Sequence, residues 1–257
     1  MGPVAPGHYS RKQLGSQCGI VRWTHGARFR TAVALAGRHP RQKLLDYGSG
    51  DGTFLAMVSD SFAACVGADI VAQQVEDCRE RFRDVDNVSF CLVSELDAPE
   101  HTHAYDLVTC METLEHCPEP AVEIVLADLD RLCSQDGTIL ISVPIETGPV
   151  FPMKYIVRKI AGWRRVGDYR WYESYSLGDA ARMLFATTTT QVRRPLYGPE
   201  AAPIHSHYGF NWRKLRARID RTFDIERTRF SPAGFSRGWL SSQAWLICRP
   251  KRRTGLS

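Results

Sequence analysis

Glycines at alternate positions, next to an acidic residue, form the stretch whose residue types point most directly to ligand binding. In LLDYGSGDGTFL, Asp46 ends an apolar run and glycines follow at positions 48, 50 and 52. Glycine tolerates the positive φ angles of a sharp turn and lets a ligand lie directly against the main chain. A second carboxylate, Asp69, ends the next apolar run, where it can accept hydrogen bonds from both hydroxyls of a ribose. The pattern predicts a turn whose main chain lies against a ligand.

The spacing of these glycines separates two classes of nucleoside site. A dinucleotide-binding fingerprint reads G-x-G-x-x-G and needs its third glycine at position 53, where this chain has Thr53. The spacing G-x-G-x-G after an acid instead resembles the first motif of class I S-adenosylmethionine-dependent methyltransferases. The resemblance implies that the chain binds S-adenosylmethionine. A dehydrogenase, and a purely structural turn capped by an aspartate, are the alternatives.

A second candidate group follows the predicted fourth strand, in the stretch VTCMETLEHCPEP. Glu112, Glu115 and His116 are spaced i, i+3 and i+4, so one helical turn would place all three on one face. They follow the carboxyl end of a buried strand, where open α/β sheets bind ligands. Another histidine, His207, lies in the later stretch HSHYGF. Two carboxylates with one or two imidazoles can hold a divalent cation and leave positions open for substrate oxygens.

The second group closely resembles the ubiquinone-biosynthesis O-methyltransferases, whose matching stretch also reads T-C-M-E-x-L-E-H. It is less similar to the terminal 2′-O-methyltransferases of small RNAs. The resemblance covers about residues 25–145. It implies that Glu112, Glu115 and His116 bind a divalent metal such as Mg²⁺, with His207 as a fourth ligand by analogy with the RNA enzymes. Without a metal, His116 and Glu115 would be the catalytic pair or would line the acceptor site, and structural packing is the remaining alternative.

Some of the residues expected to contact the cofactor belong to the glycine-rich turn, and the others are positions that the resemblance implies. Arg28, Gly48, Asp69 and Met111 match cofactor contacts of the ubiquinone enzymes. The full expected set is Arg28, Asp46, Gly48, Gly50, Asp69, Ile70 and Met111.

Strand and helix patterns that alternate along the chain must position these groups. Apolar runs predict strands at 43–47, 63–70, 88–93, 105–111 and 138–144, with helical stretches between them. After a predicted helix at 211–223, two consecutive strands at 223–230 and 239–248 predict an antiparallel hairpin. Strands that alternate with helices form a doubly wound, parallel α/β sheet. We expect a seven-stranded, mostly parallel sheet of the Rossmann-like methyltransferase fold, with a lid insertion.

The predicted boundaries describe a single domain at 1–248, a lid insertion at about 146–210 and a basic tail at 249–257. The lid contains FPMKYIVRKIAGWRRVGDYRWYESY, in which Lys and Arg residues alternate with aromatic residues. An apolar stripe within it consists of Met153, Ile156, Val157 and Ile160, with Lys154, Arg158 and Lys159 beside it. Such a segment could be a plain substrate cap, could contact an anionic acceptor or surface, or could stack RNA bases.

Composition excludes some classes of protein. The chain has 257 residues, a formal net charge of +5 and 44% hydrophobic residues, which are ordinary values for one globular domain. No apolar run is long enough for a membrane-spanning helix. Eight cysteines without any C-x-x-C pair favour reduced thiols, so we expect a cytoplasmic protein.

Together these features predict methyl transfer from S-adenosylmethionine to a hydroxyl oxygen of a small molecule, a lipid-linked acceptor or a sugar. Contact with an anionic surface is a further expectation for the lid. Terminal 2′-O-methylation of RNA and a catalytically inactive S-adenosylmethionine-binding module are the alternatives.

Overall fold

The computed structural model describes residues 4, 7, 19–38, 42–163, 174–198, 203–234 and 238–251. The helices within these ranges are α1 (Gly19–Ala36), α2 (Thr53–Val58), α3 (Ala72–Arg81), α4 (Glu119–Leu132), α5 (Val150–Trp163), α6 (Leu177–Leu184) and α7 (Trp212–Thr222). The strands are β1 (Lys43–Tyr47), β2 (Ala64–Asp69), β3 (Val88–Leu92), β4 (Tyr105–Met111), β5 (Cys133–Pro144), β6 (Leu196–Tyr197), β7 (Ile204–His205), β8 (Phe223–Ser231) and β9 (Gln243–Pro250). Short 3₁₀ helices occupy Ser59–Ser61, Val93–Asp97 and Pro99–His101.

Seven of the strands form one sheet in the order β3-β2-β1-β4-β5-β9-β8. Strands β1 to β5 pair in parallel, and β9 is antiparallel to both of its neighbours. The predicted doubly wound, mostly parallel sheet with a C-terminal antiparallel hairpin is therefore confirmed. Because strand order reverses between β1 and β4, the loops that follow these two strands open into the crevice where such sheets bind ligands.

The sheet is covered on both faces because consecutive residues of each buried strand point to opposite sides. Leu44 and Leu107 belong to one apolar cluster, which also contains residues of α1, α2 and α3. Leu45 and Val108 belong to the other cluster, together with residues of α4 and α7. This packing fixes the ends of β1 and β4 relative to each other.

The C-terminal strand is displaced from its predicted position. β9 begins at Gln243 rather than at 239, and the two large apolar residues before it, Trp239 and Leu240, lie exposed in the β8–β9 connection. It also continues through Arg249 and Pro250, so these two residues belong to the sheet rather than to a basic tail. Residues 252–257 of the predicted tail lie outside the described residues.

Helix α5 lies within the predicted lid insertion and has an exposed apolar side. Its apolar stripe, Met153, Ile156, Val157 and Ile160, is exposed. Two basic residues beside the stripe, Lys154 and Arg158, instead contact the buried Glu146, as described below. Residues 164–173 and 199–202 of the predicted insertion lie outside the described residues. Among the helices that the structure describes, none combines the length and apolarity needed to cross a bilayer.

Candidate active site

The glycine-rich turn joins β1 to α2 and presents main chain to open space. Gly48, Gly50 and Gly52 all have positive φ, at 78°, 53° and 67°. A Cβ atom at Gly48 would lie 2.4 Å from the Thr113 Oγ1 atom, so the turn packs closely against the loop after β4. At Gly50 a Cβ atom would meet nothing within 4 Å. The turn is therefore closed on one side and open on the other, as a ligand lying against its backbone requires.

Asp69, at the end of β2, connects this turn to the next strand. Its carboxylate accepts hydrogen bonds from the backbone N–H of Gly50 at 2.9 Å and from that of Val71 at 3.0 Å. Each carboxylate oxygen keeps a second lone pair that can accept a ligand hydroxyl. The next residue, Ile70, is 67% exposed and so offers an apolar surface beside the carboxylate. This arrangement fits the ribose and base of an adenosyl ligand.

Asp46 was expected from its place in the motif to contact the cofactor, and the contact that the structure shows for its side chain is with β4. Its side chain is buried and accepts a hydrogen bond of 2.6 Å from the Thr109 hydroxyl on β4. Burial raises the pKa of Asp46 to about 7, the Thr109 hydrogen bond opposes the shift, and the charge of Asp69 adds to it. The contacts of Asp46 therefore brace β1 against β4 beneath the turn.

The segment after β4 is a non-helical turn, and the prediction of one helical turn at 112–116 is wrong. Glu112 adopts a left-handed conformation with φ 53°, which redirects the chain, and α4 begins only at Glu119. The Glu112 carboxylate lies 3.4 Å from the Ser142 hydroxyl and 3.5 Å from the Arg28 guanidinium. Glu112 thus pairs with Arg28, one of the residues expected to contact the cofactor.

Three of the four predicted metal ligands come together. One ligand atom from each of Glu115, His116 and His207 lies within 4.8 Å of the other two. Glu115 is fully buried, and its Oε1 atom is 3.8 Å from His116 Nε2, too far for a hydrogen bond. Among the described residues, neither carboxylate oxygen of Glu115 has a hydrogen-bond partner, and the same holds for His207 Nδ1. Buried polar atoms are rarely left unsatisfied, so these atoms point to a missing ligand.

The protonation states in this cluster follow from burial. Burial, followed by the charge of Glu112, raises the pKa of Glu115 well above its usual value, and Arg28 and Arg194 oppose the shift. Burial lowers the pKa of His207 to about 3, which keeps its imidazole neutral. A neutral imidazole is the form that binds metals and accepts protons. The His116 Nδ1 atom donates a hydrogen bond of 2.8 Å to the His205 carbonyl, which leaves Nε2 with its lone pair facing the cluster.

Sequence analysis missed two residues that hold this region together. Arg194 donates hydrogen bonds to three main-chain carbonyls, among them that of Glu115. Glu146, which is 1% exposed after β5, accepts a hydrogen bond of 2.5 Å from Lys154 and two of 2.7 Å from Arg158. Arg194 carries no sequence signal, because its partners are far away along the chain. Glu146 could have been suspected as an acid directly after a buried strand.

Comparisons with known proteins find relatives of the part of the chain that contains the glycine-rich turn. Residues 44–137 match the family model described as "Methyltransferase domain". A ubiquinone biosynthesis O-methyltransferase of Thiobacillus denitrificans is 34% identical over 124 residues, which is 48% of this chain and 49% of that relative. The chain spans about half the length of the curated relatives that it matches. The matched residues include the glycine-rich turn, Asp69, Glu115 and His116, but neither Arg194 nor His207.

Solved structures share the fold over nearly the whole chain. The PH0226 protein of Pyrococcus horikoshii superposes with a TM-score of 0.57 at 15% identity, covering 95% of this chain and 96% of that one. The magnesium protoporphyrin IX methyltransferase of Synechocystis, solved with bound SAH, gives a TM-score of 0.54 at 17% identity, covering 92% and 89%. The chain is thus similar to methyltransferases in sequence over residues 44–137, and it shares the fold of these solved structures over nearly its whole length.

Proposed function

We propose that the protein transfers a methyl group from S-adenosylmethionine to a hydroxyl oxygen of a small-molecule acceptor. One observation carries this proposal. The open main chain at Gly50 follows β1, and Glu115 and His116 follow the neighbouring parallel strand β4, at the same edge of the sheet. The carboxylate oxygens of Glu115 are buried and unsatisfied, and His207 lies close to both residues. A donor site and a proton-accepting site therefore adjoin each other.

On the donor side, Gly48 and Gly50 would admit the ligand to the main chain and Asp69 would accept the ribose hydroxyls. Ile70 would contact the base. Arg28 and Met111 complete the expected set through the resemblance, and Arg28 also pairs with Glu112. When bound, S-adenosylmethionine supplies an activated methyl group, so the protein's main task is to align it with the acceptor oxygen.

On the acceptor side, the chain must help to remove a proton. A phenol has a pKa of about 10 and is a poor nucleophile while protonated. His116 Nε2 is suited to accept that proton, because its Nδ1 hydrogen is already held by the His205 carbonyl. The Glu115 carboxyl group lies 3.8 Å away, and a positive charge on His116 would favour its ionised form, which in turn would stabilise the imidazolium.

The same cluster also fits a divalent cation. One carboxylate and two imidazoles would hold it through Glu115, His116 and His207, while Glu112 is engaged by Arg28. Two nitrogen donors suit a first-row transition metal better than Mg²⁺, which prefers oxygen ligands. Such an ion would lower the pKa of an acceptor hydroxyl, and it would favour acceptors with two adjacent hydroxyls.

The contacts of helix α5 give less support to acceptors other than a small hydroxylated molecule. A lipid-linked acceptor, a sugar, an anionic surface or RNA would each use the basic side of the lid. Lys154 and Arg158 are basic residues of α5, and both are engaged by Glu146. The exposed side of α5 is apolar instead.

Turnover against a panel of phenols, catechols, sugars and a short RNA tests the proposal. We expect methylation of a hydroxylated small molecule, and a loss of about 100-fold in Glu115→Gln. Glu119→Gln, a change at a half-exposed surface position nearby, is the matched control. A chelator separates the two versions of the chemistry: it abolishes turnover if a metal is used and leaves it unchanged if His116 acts alone. Methylation of RNA alone would contradict the proposed acceptor.

A further inference from the structure

The acceptor side of the site is assembled from two segments far apart in the sequence. Glu115 and His116 lie in the turn after β4, which we call the post-β4 turn (112–118). His207 lies in the His207 loop (203–210), which begins with β7. The relative placement of the three side chains therefore depends on what joins the two segments.

Arg194 lies between them and donates hydrogen bonds to both. Its Nη2 atom bonds the carbonyl oxygen of Glu115 and, at 2.8 Å, that of Ser206. Its Nε atom bonds the carbonyl oxygen of Tyr208 at 3.1 Å. Ser206 and Tyr208 flank His207, and the third acceptor belongs to Glu115 itself. One guanidinium thus connects the main chain on both sides of His207 to the main chain of Glu115.

The surroundings of Arg194 accommodate this role. The guanidinium carbon lies 5.3 Å from the centre of the Phe210 ring, which packs against its face. Gly209 has φ 67°, and a Cβ atom there would come within 3.1 Å of Arg194 Cγ. Glycine therefore lets the loop approach the arginine stem closely.

A pair of hydrogen bonds between His116 and His205 reinforces the same junction. The His205 N–H donates to the His116 carbonyl at 2.8 Å, and His116 Nδ1 donates to the His205 carbonyl at 2.8 Å. These bonds align one end of the His207 loop, whereas Arg194 holds the part that carries His207.

We propose that Arg194 is a positioning residue that fixes the His207 loop on the post-β4 turn, so that Glu115, His116 and His207 face one another. Its planar fork of donors reaches three carbonyls at once. A lysine ammonium has one donor atom on a flexible stem and cannot reproduce this geometry. The assignment of Arg194 to the acceptor side rests on the proposed function, but its effect on the loop does not.

The test compares Arg194→Lys with Arg249→Lys. Arg249 is a suitable control because it also donates to two main-chain carbonyls, those of Asp136 and Gly137, at the opposite end of the sheet. Hydrogen exchange of the His205 and Gly209 amides reports on the loop, and steady-state kinetics report on the site. Unfolding midpoints identify a general loss of stability. Arg194→Gln, which keeps a planar donor group, replaces Arg194→Lys if the lysine variant does not fold.

We expect exchange at the His207 loop to become about tenfold faster in the Arg194 variant, and kcat to fall about tenfold with the KM for S-adenosylmethionine unchanged. Arg249→Lys should leave all three quantities at wild-type values. Wild-type exchange in the loop, or wild-type kcat, would overturn the proposal. If the wild-type protein methylates none of the acceptors offered, the proposed function fails, and the exchange measurement still decides the role of Arg194.

Discussion

The Nδ1 atom of His116 lies 2.8 Å from the carbonyl oxygen of His205, 89 residues further along the chain. A carbonyl can only accept, so Nδ1 carries a proton, and in the neutral imidazole Nε2 then keeps its lone pair. Nε2 is the atom that faces the buried carboxylate of Glu115. This one long-range contact therefore sets both the orientation and the tautomer of the histidine that the mechanism uses.

Replacement of His116 should affect catalysis rather than cofactor binding. We expect His116→Gln to lower kcat about 100-fold, because the proton acceptor is lost, and to leave the Kd for S-adenosylmethionine unchanged. His103→Gln is the matched control, since His103 Nδ1 also lies 2.9 Å from a carbonyl oxygen, that of Cys133, outside the site. Equal kcat values for the two variants would show that His116 has no part in the chemistry.

A side chain at Gly50 should block the cofactor without preventing folding. No atom lies within 4 Å of a Cβ at this position, so Gly50→Ala has only the cost of its positive φ, about 1 kcal/mol. The added methyl would project into the open side of the turn and weaken S-adenosylmethionine binding about tenfold or more. Gly234→Ala, which also meets no atom within 4 Å, is the control in calorimetry. If Gly50→Ala bound as tightly as the wild type, the ligand would not lie against this turn.

Loss of Glu146 should destabilise the protein strongly. Burial alone would raise the pKa of Glu146, but Arg158 and Lys154 outweigh it and hold the pKa well below its usual range. Glu146→Gln would remove the buried charge that Lys154 and Arg158 both contact, at a cost of about 3–5 kcal/mol in the free energy of unfolding.

The control for this experiment is Glu119→Gln. Glu119 also contacts two basic residues, Lys214 and Arg218, but its side chain is 58% exposed. Exposed ion pairs contribute at most about 1 kcal/mol. Urea denaturation of the two variants measures the difference, and similar losses in both would mean that the Glu146 cluster does not anchor α5.

The pH dependence of stability should carry a contribution from Asp46. Burial raises its pKa from 3.8 to about 7 in the folded protein, so the folded state binds this proton more tightly than the unfolded state does. The stabilisation is fully present below pH 3.8 and is lost as the pH rises through about 7. In Asp46→Asn the unfolding free energy should fall less between these pH values than in the wild type. Asp84→Asn, at an exposed position, should keep the wild-type profile, and a matching profile in Asp46→Asn would contradict this account.

The fold could be predicted from sequence because the buried parallel strands have their own apolar runs, separated by helical stretches. β1 and β4 are examples, and the reversal of strand order between them follows from the Rossmann-like pattern. The first residue of β9 could not be predicted, because Trp239 and Leu240 look like strand residues although they lie exposed in the β8–β9 connection. Pairing with β8, a long-range property, decides where β9 begins.

The candidate site was predictable only in part. The glycine-rich turn and Asp69 depend on local spacing, and the structure places them together. The conformation of Glu112 was not predictable. It has a positive φ, and the helical spacing of Glu112, Glu115 and His116 does not reveal which residue adopts one. Arg194 was missed because its contacts join residues 79 and 12 positions apart, a relationship with no periodic signal.

Calorimetric titration of the folded protein with S-adenosylmethionine tests the central claim most directly. We expect one binding site in the wild type and a loss of about tenfold to 100-fold in affinity for Asp69→Ala, because hydrogen bonds to a charged group contribute about 1.5–3 kcal/mol each. Asp84→Ala should bind as the wild type does. The absence of any binding heat from well-folded wild-type protein, or equal affinities in all three proteins, would contradict the account.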